Sequence, residues 1–410
     1  MRILFYSLIG LWVCWQSVFS QTETVVLTFN ELPEYINAHS PIVEQFNQLL
    51  NINKVERKMA LSWNNPNLNY SEEALDNAGT YEKEQFLTVS KQFEMPWTYT
   101  LRHQAWGAFE KAAIFSKKQK VNQFLSEMKR GYIKLQSMNH FITRLNHFKS
   151  IIDEISVIAQ NQADEGTISI FDHKLFQMAL FKIQSRLIAT QKEKQQLEGE
   201  WKTKMGIDES QKIMLKSGIE FKEIQLNSVE TYYSSISNTP VIQKEKTELQ
   251  FLDKMGQAES SNLIPFLDVS AGLKRFSNNQ RGYTFGLSMP IPLFNPNLKL
   301  SRKYKMEKSM QETNLALHQN RLKNKIRLLI DEINVSRNLL TANQTLFDPR
   351  NDVIDNILLN YNQGVITLTD VLNTIQIYTE SLESYYNHLN NYYQAIFHLE
   401  AEFDETLITF

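Results

Sequence analysis

The stretch GYTFGLSMPIPLFNPN, residues 282–297, has the pattern of a β-strand that ends in closely spaced prolines. Apolar side chains alternate with small polar ones from Tyr283 to Ile291, which places the two kinds on opposite faces of a strand. Proline cannot donate to a strand ladder. From Asn297 onward roughly fifty residues follow without Pro or Gly, as in a long helix. The sequence therefore predicts a corner between a strand and a helix, made by Pro290, Pro292 and Pro296.

The preceding segment predicts the partner strand of a β-hairpin. Residues 267–273 alternate in the same way, and Ser277-Asn278-Asn279-Gln280 separates the two segments as a turn. We predict a hairpin over residues 265–293 with one apolar and one polar face. This alternation fits a membrane strand, but the core of an ordinary sandwich would show it too.

A weaker copy of the hairpin lies in the first half, over residues 66–94, and indicates a duplication. Ser90 and Ser288 lie 198 residues apart, and so do the stretches EGTISIFD at 165–172 and QGVITLTD at 363–370. We therefore predict two tandem units, residues 21–220 and 221–410, each with the order helix, strand, strand, helix.

Long helical arms connect these landmarks. No proline occurs between Trp97 and Thr239, and a helix from Trp97 to about Gln162 would be on the order of 100 Å long. Glycine commonly ends a helix, and Ser or Thr commonly starts one. The arms are therefore predicted to turn near residue 166 in the first unit and near residue 364 in the second.

The N-terminus has the layout of a secretory signal peptide over residues 1–20. Arg2 precedes an apolar segment, and small residues precede Gln21. Cys14, the single cysteine, lies inside this segment, so we predict a mature chain without disulfides; a lipid anchor at Cys14 is the less favoured alternative. The net charge of −2 gives no indication of a nucleic-acid partner.

The whole mature chain resembles the TolC-like outer-membrane efflux proteins, in particular the shorter branch associated with heavy-metal efflux. The resemblance rests on the duplicated unit, on SMPIPLFNPN, and on residues 361–403, which are similar to the family's second tip turn and last helix. It implies an α+β membrane protein of the outer membrane of a Gram-negative bacterium, with a large periplasmic portion. Three chains would share a 12-stranded β-barrel, continued as a long periplasmic α-helical barrel of coiled coils. Four strands per chain cannot close a barrel alone, which independently favours several copies that pool their strands; the resemblance implies that the assembly is a homotrimer.

The resemblance also implies which residues act. The two turns would contact a periplasmic adaptor through Gly166, Thr167, Ile168, Ser169, Gly364, Val365, Ile366 and Thr367. The helix after the second turn would carry a pore gate at Asp370 and Asn373, where the family has two aspartates. Asp370 would also suit the positive end of the helix dipole, as would its counterpart Asp172. The corners between barrel and tunnel would be Pro96 in the first unit and the three prolines above in the second.

We therefore expect a passive exit duct in a tripartite efflux pump, not an enzyme, together with an adaptor and an inner-membrane transporter of the RND type. Heavy-metal cations are the favoured cargo. The alternatives are a duct for organic toxins, drugs or secreted polypeptides, and a soluble periplasmic coiled-coil scaffold. We predict no cofactor and no metal site, since His140 and His147, the closest histidines with helical spacing, fit a solvated stripe.

Overall fold

The computed structural model describes residues 24–77, 79–216, 219–292, 294, 297–343 and 353–410. The predicted signal peptide and Pro296 lie outside the described residues. Among the described residues, no helix has the length and apolar character that crossing a membrane requires.

The described part of the chain is mostly helical, with two small sheets. The strands are β1 Thr24–Leu27, β2 Asn67–Asn77, β3 Thr80–Glu94, β4 Lys212–Leu215, β5 Phe266–Phe276 and β6 Arg281–Ser288. The helices are α1 Leu32–His39, α2 Pro41–Ala60, α3 Pro96–Asp164, α4 Ile170–Met205, α5 Val229–Ser235, α6 Pro240–Ser261, α7 Asn297–Asn343, α8 Ile357–Asn362 and α9 Leu368–Phe403. Short 3₁₀ turns at Ile236–Asn238 and Val353–Asn356 precede α6 and α8.

The described chain forms two compact units, and each combines segments from both halves of the sequence. The helical unit contains the residues up to Gln45, Val121–Tyr233 and Asn324–Phe410. The sheet unit contains Phe46–Lys120 and Ser234–Lys323. The compact units therefore do not follow the predicted repeats, because matching segments of the two halves pack together.

The sheet unit is built on a four-stranded antiparallel sheet with the order β2-β3-β5-β6. Each hairpin pairs within itself, and β3 pairs with β5, from Glu84 opposite Phe276 to Glu94 opposite Phe266. The first hairpin lies within the predicted residues 66–94, but its strands run closer to the turn than the alternation of apolar residues indicated. Its strands continue through a charged stretch to Asn77 and Thr80, where Glu72 and Lys83 form an ion pair across the two strands.

The core of the helical unit is formed by α3, α4 and α9. In α3 the buried residues follow one another at alternating spacings of four and three, the pattern of helices packed side by side. They are Phe141, Leu145, Phe148, Ile152, Ile155 and Ala159. Facing them are Phe176 and Ile183 of α4 and Val371 and Ile375 of α9. The parallel pair of β1 and β4 was not predicted, since strands of four residues give too little alternation to recognise.

The two long arms are described over different spans. Helix α3 is continuous over 69 residues, close to the predicted span. Helix α7 is described over 47 residues, from Asn297 to Asn343, and the next described segment begins with the 3₁₀ turn Val353–Asn356.

Candidate functional site

One face of the four-stranded sheet is apolar and exposed. The pairing register aligns Tyr70, Leu87, Leu273 and Tyr283 in one row across all four strands. The next row contains Leu68, Val89, Ala271 and Phe285. Tyr283 and Phe285 are 80% and 85% exposed. An uninterrupted apolar surface of this kind marks a place where lipid or another protein is bound.

The opposite face of the sheet is mostly polar, with small residues in its central row. Asn69, Thr88, Gly272 and Thr284 form the row behind the apolar one. A Cβ atom on Gly272 would lie 2.6 Å from the carbonyl oxygen of Leu87 and 2.9 Å from the hydroxyl oxygens of Thr88 and Thr284. A Cβ atom on Gly286 would lie 2.5 Å from Ser270 Oγ. Glycine at these two positions allows the strands to approach closely on this face.

The predicted corners lie at the foot of the sheet, where strands meet helices. Pro96 is the first residue of α3, where its missing N–H costs no helical hydrogen bond. Just before it, both carboxylate oxygens of Glu94 accept from Arg102 Nη1 at 3.0 Å, and Arg102 Nη2 donates to the carbonyl of Ala60. Pro290 and Pro292 follow β6 in a segment without regular structure, consistent with the end of the strand ladder.

The two predicted tips have the same backbone structure. Gly166 and Gly364 have φ angles of +75° and +69°, the left-handed region that glycine adopts readily. The amide of Thr167 donates to the carbonyl of Gln162, and that of Val365 donates to the carbonyl of Asn360, at 2.8 and 2.9 Å. The amides of Gly166 and Gly364 also donate to the carbonyls three residues earlier, those of Ala163 and Tyr361. Both helices therefore end in a Schellman motif.

A capped helix follows each turn. Ser169 caps α4 by accepting from the amide of Phe171, and Thr367 caps α9 by accepting from the amide of Asp370. Ile168 and Ile366, one residue before each cap, are half-buried and pack against the helical core. The adjoining Val365 is 67% exposed.

The two tips are held together by a side-chain hydrogen bond and by the core beneath them. The Tyr361 hydroxyl, one turn before Gly364, donates to Oε1 of Gln162 at 2.7 Å. Tyr361 is itself buried in the helical core with Leu368 and Val371 of α9. Burial raises the pKa of Tyr361, so the hydroxyl keeps its proton at neutral pH.

Asp370 is part of a capping box at the start of α9. Its Oδ2 accepts from the hydroxyl and the backbone amide of Thr367 at 2.7 and 2.8 Å, while Thr367 Oγ1 accepts from the Asp370 amide. These hydrogen bonds, that of the Thr367 hydroxyl above all, hold the pKa of the carboxyl below its usual range. Asp370 and Asn373 are both exposed. Asp172, the counterpart of Asp370, lies in the first turn of α4 as predicted.

A group of partly buried charges in the helical unit was not recognised from the sequence. Glu400 of α9 pairs with Lys129 of α3 at 2.6 Å and also accepts from the amides of Leu407 and Ile408. Close by in the sequence of both helices, Nε2 of His398 lies 3.2 Å from Nη1 of Arg130. Since a guanidinium only donates, the ring nitrogen accepts and the imidazole is neutral. The signal in the sequence is the charged residues on the otherwise apolar faces of α3 and α9.

Within the described parts of the chain, no three His, Cys, Asp or Glu side chains are grouped so that they could hold a metal ion. No family model matches the sequence, and no curated protein matches it significantly.

Solved structures do match, over nearly the whole chain. The CmeC outer membrane channel of Campylobacter jejuni matches with a TM-score of 0.76 and 12% identity, covering 92% of this chain and 85% of that one. The chain has the fold of the TolC-like outer-membrane channels. CusC, described for its folding and transmembrane channel formation, matches with a TM-score of 0.70 and 12% identity, covering 93% of this chain and 95% of that one. The outer membrane protein VceC of Vibrio cholerae matches with a TM-score of 0.65 and 14% identity, covering 92% of this chain and 94% of that one.

The resemblance given by the sequence is thereby confirmed for the fold. The structural matches do not distinguish the heavy-metal branch from the others.

Proposed function

We propose that this chain is the outer-membrane exit duct of a tripartite efflux pump. The observation that carries the proposal is the exposed apolar face that runs across all four strands of the sheet, backed by a polar face of small residues. That two-sided surface suits strands with lipid on one side and water on the other. The strands have 8, 11, 11 and 15 residues, close to the ~9–11 that cross a bilayer.

The assembly in this proposal is a homotrimer that pools its strands. In the described sheet, β2 and β6 each have one edge without a partner strand. Open edges are not tolerated within lipid, and four strands cannot close on themselves. Three copies would join β2 of one chain to β6 of the next and give twelve strands, while the helices would continue as a periplasmic barrel of coiled coils.

The two tips are proposed as the contact with a periplasmic adaptor, which would connect the duct to an inner-membrane transporter of the RND type. Both turns combine a fixed Schellman backbone with exposed residues, of which Val365 is the most apolar. A rigid turn with an exposed apolar side chain loses little entropy on binding. The interaction would involve Gly166–Ser169 of the first tip and Gly364–Thr367 of the second.

For the gate we propose that three copies of Asp370 come together at the narrow end of the duct. The carboxylate is exposed and, with its lowered pKa, charged at neutral pH. Asn373 carries no charge, so the ring would hold one acid per chain.

Heavy-metal cations are the proposed cargo, on the strength of the sequence resemblance to the metal-associated branch. Organic compounds are the second candidate cargo for the same duct. Measuring the sensitivity of cells to metal salts and to organic toxins distinguishes the two.

Deletion of the gene and complementation test the function. The deletion strain should become sensitive to metal salts while its sensitivity to organic toxins stays the same, and the wild-type gene should restore resistance. Sensitivity to organic toxins alone would replace the proposed cargo. Two results together would contradict the duct itself: unchanged resistance of the deletion strain to metal salts and organic toxins, and absence of the protein from outer membranes isolated from the wild-type strain.

A further inference from the structure

Two arginines face each other across the second hairpin, at the upper limit of the apolar face. Arg275 of β5 is paired in register with Arg281 of β6, and both side chains are exposed on the side that carries Leu273 and Tyr283. Like charges directly opposite each other across strands are destabilising. A pair of this kind in an otherwise regular sheet indicates that something else supplies the negative charge.

The described part of the sheet does not supply that charge. Glu72 lies in the same row two strands away, but it is occupied by Lys83, by the Tyr70 hydroxyl at 2.9 Å and by Gln85 Nε2 at 3.0 Å. Lys274, at the same height on the polar face, has its own carboxylate in Glu84 at 2.6 Å. Arg275 donates to the neutral Oδ1 of Asn279 at 2.9 Å. Among the described residues, no carboxylate forms an ion pair with either guanidinium.

The position of the pair indicates the source of the missing charge. Directly beneath it lies the row with Tyr70 and Tyr283, amphipathic side chains of the kind enriched where a bilayer meets water. The helices α3 and α6 join the sheet at its other end, where Glu94 pairs with Phe266. If the helices lie in the periplasm, as the proposed function requires, the hairpin turns face outward and the arginines reach the headgroups of the outer leaflet.

We propose that Arg275 and Arg281 form a binding site for the phosphate of an outer-leaflet glycolipid, with the acyl chains of the same lipid against the apolar rows below. Guanidinium groups match phosphate oxygens through paired hydrogen bonds. One phosphate between the two side chains relieves their repulsion and fixes a lipid at the seam between β5 and β6. This site rests on the proposed membrane placement of the sheet.

Lipid titration of the detergent-solubilised full-length protein tests the site, with native mass spectrometry as the readout. The probes are diphosphoryl lipid A and its fully dephosphorylated form with the same acyl chains. The wild type should prefer the phosphorylated lipid, and the double variant Arg275→Gln, Arg281→Gln should bind it about tenfold more weakly. Binding of the dephosphorylated lipid should be the same in both proteins.

Two control variants make the result specific. Arg275→Lys with Arg281→Lys keeps the charge and should retain most of the preference. Lys274→Gln removes a cation at the same height on the opposite face and should leave lipid binding unchanged. Equal affinity of the wild type and the Gln variant for the phosphorylated lipid would overturn the site. If the protein were absent from outer membranes, the proposed function would fail instead, so the two failures are separable.

Discussion

At the scale of single residues, two glycines and one aspartate determine how the arms turn. Gly166 and Gly364 provide left-handed backbone, and Asp370 completes the cap of α9. A Cβ atom on Gly364 would meet nothing within 4 Å, so the requirement for glycine there comes from the backbone angle and not from space.

Gly364→Ala should therefore destabilise the second tip by about 1 kcal/mol, since an L-residue is strained at positive φ. Gly107→Ala is the matched control. Gly107 lies within α3 and is also open to an added Cβ, so alanine should stabilise that helix by roughly 0.5–1 kcal/mol. Amide hydrogen exchange at each position measures both effects; equal protection changes at the two sites would contradict the explanation.

Asp370→Asn separates the proposed gate charge from the helix cap. Asparagine keeps a side-chain oxygen that can accept from Thr367, so α9 should start at the same residue, while the negative charge is lost. Block of the single-channel current by divalent cations should weaken in this variant and strengthen in Asn373→Asp. Asp172→Asn is the control and should have no effect. Planar-bilayer recordings decide the point, and identical block in all four proteins would leave Asp370 as a capping residue alone.

His398 predicts a pH-dependent stability of the helical unit. Burial, and then the charges of Arg130 and Lys325, lower its pKa from 6.5 to about 4. As the pH falls below about 6.5, His398 becomes protonated in the unfolded chain but stays neutral in the folded chain. The free energy of unfolding should therefore decrease as the pH is lowered from about 6.5 to about 4. Thermal melting of wild type and His398→Gln over this range measures the difference. A parallel decrease in the two proteins would exclude His398 as the cause.

At the scale of elements, the two faces of the sheet make opposite demands on their residues. Adjacent residues of β6 lie on opposite faces at nearly the same depth, so the same substitution at each position compares the two faces. Phe285→Arg places a charge on the apolar face, where arginine in lipid costs about 2–4 kcal/mol at mid-membrane depth. Thr284→Arg places the same charge on the polar face. The first variant should be depleted from isolated outer membranes relative to the second, as measured by immunoblotting, and equal amounts of both would contradict a lipid-facing surface.

At the scale of the whole molecule, the proposed trimer would pair the edges of β2 and β6 that have no partner strand in the described sheet. The purified protein should be a trimer in detergent by native mass spectrometry. Dissociation to monomers should remove most of the β-sheet signal in circular dichroism, because a four-stranded sheet with an exposed apolar face lacks both its neighbours and its lipid. A stable monomer in the absence of detergent would instead support the soluble scaffold.

The sequence by itself determined the features that depend on local patterns. The alternation at 282–291 predicted a strand, which the structure has at Arg281–Ser288. Glycine followed by Ser or Thr predicted both turns, and the offset of 198 residues predicted a duplication. These patterns reflect side-chain direction and backbone angles, which neighbouring residues fix among themselves.

Only the tertiary structure decided how the two halves combine. Several contacts join residues that are distant in sequence: the pairing of β3 with β5, the hydrogen bond between Tyr361 and Gln162, and the ion pair of Glu400 with Lys129. The ion pair of Glu72 with Lys83 lies in a charged stretch without apolar alternation. The opposition of Arg275 and Arg281 likewise depends on the register across a turn. Sequence patterns show which face a side chain occupies, but its partner is set by register and packing, which are determined when the whole chain folds.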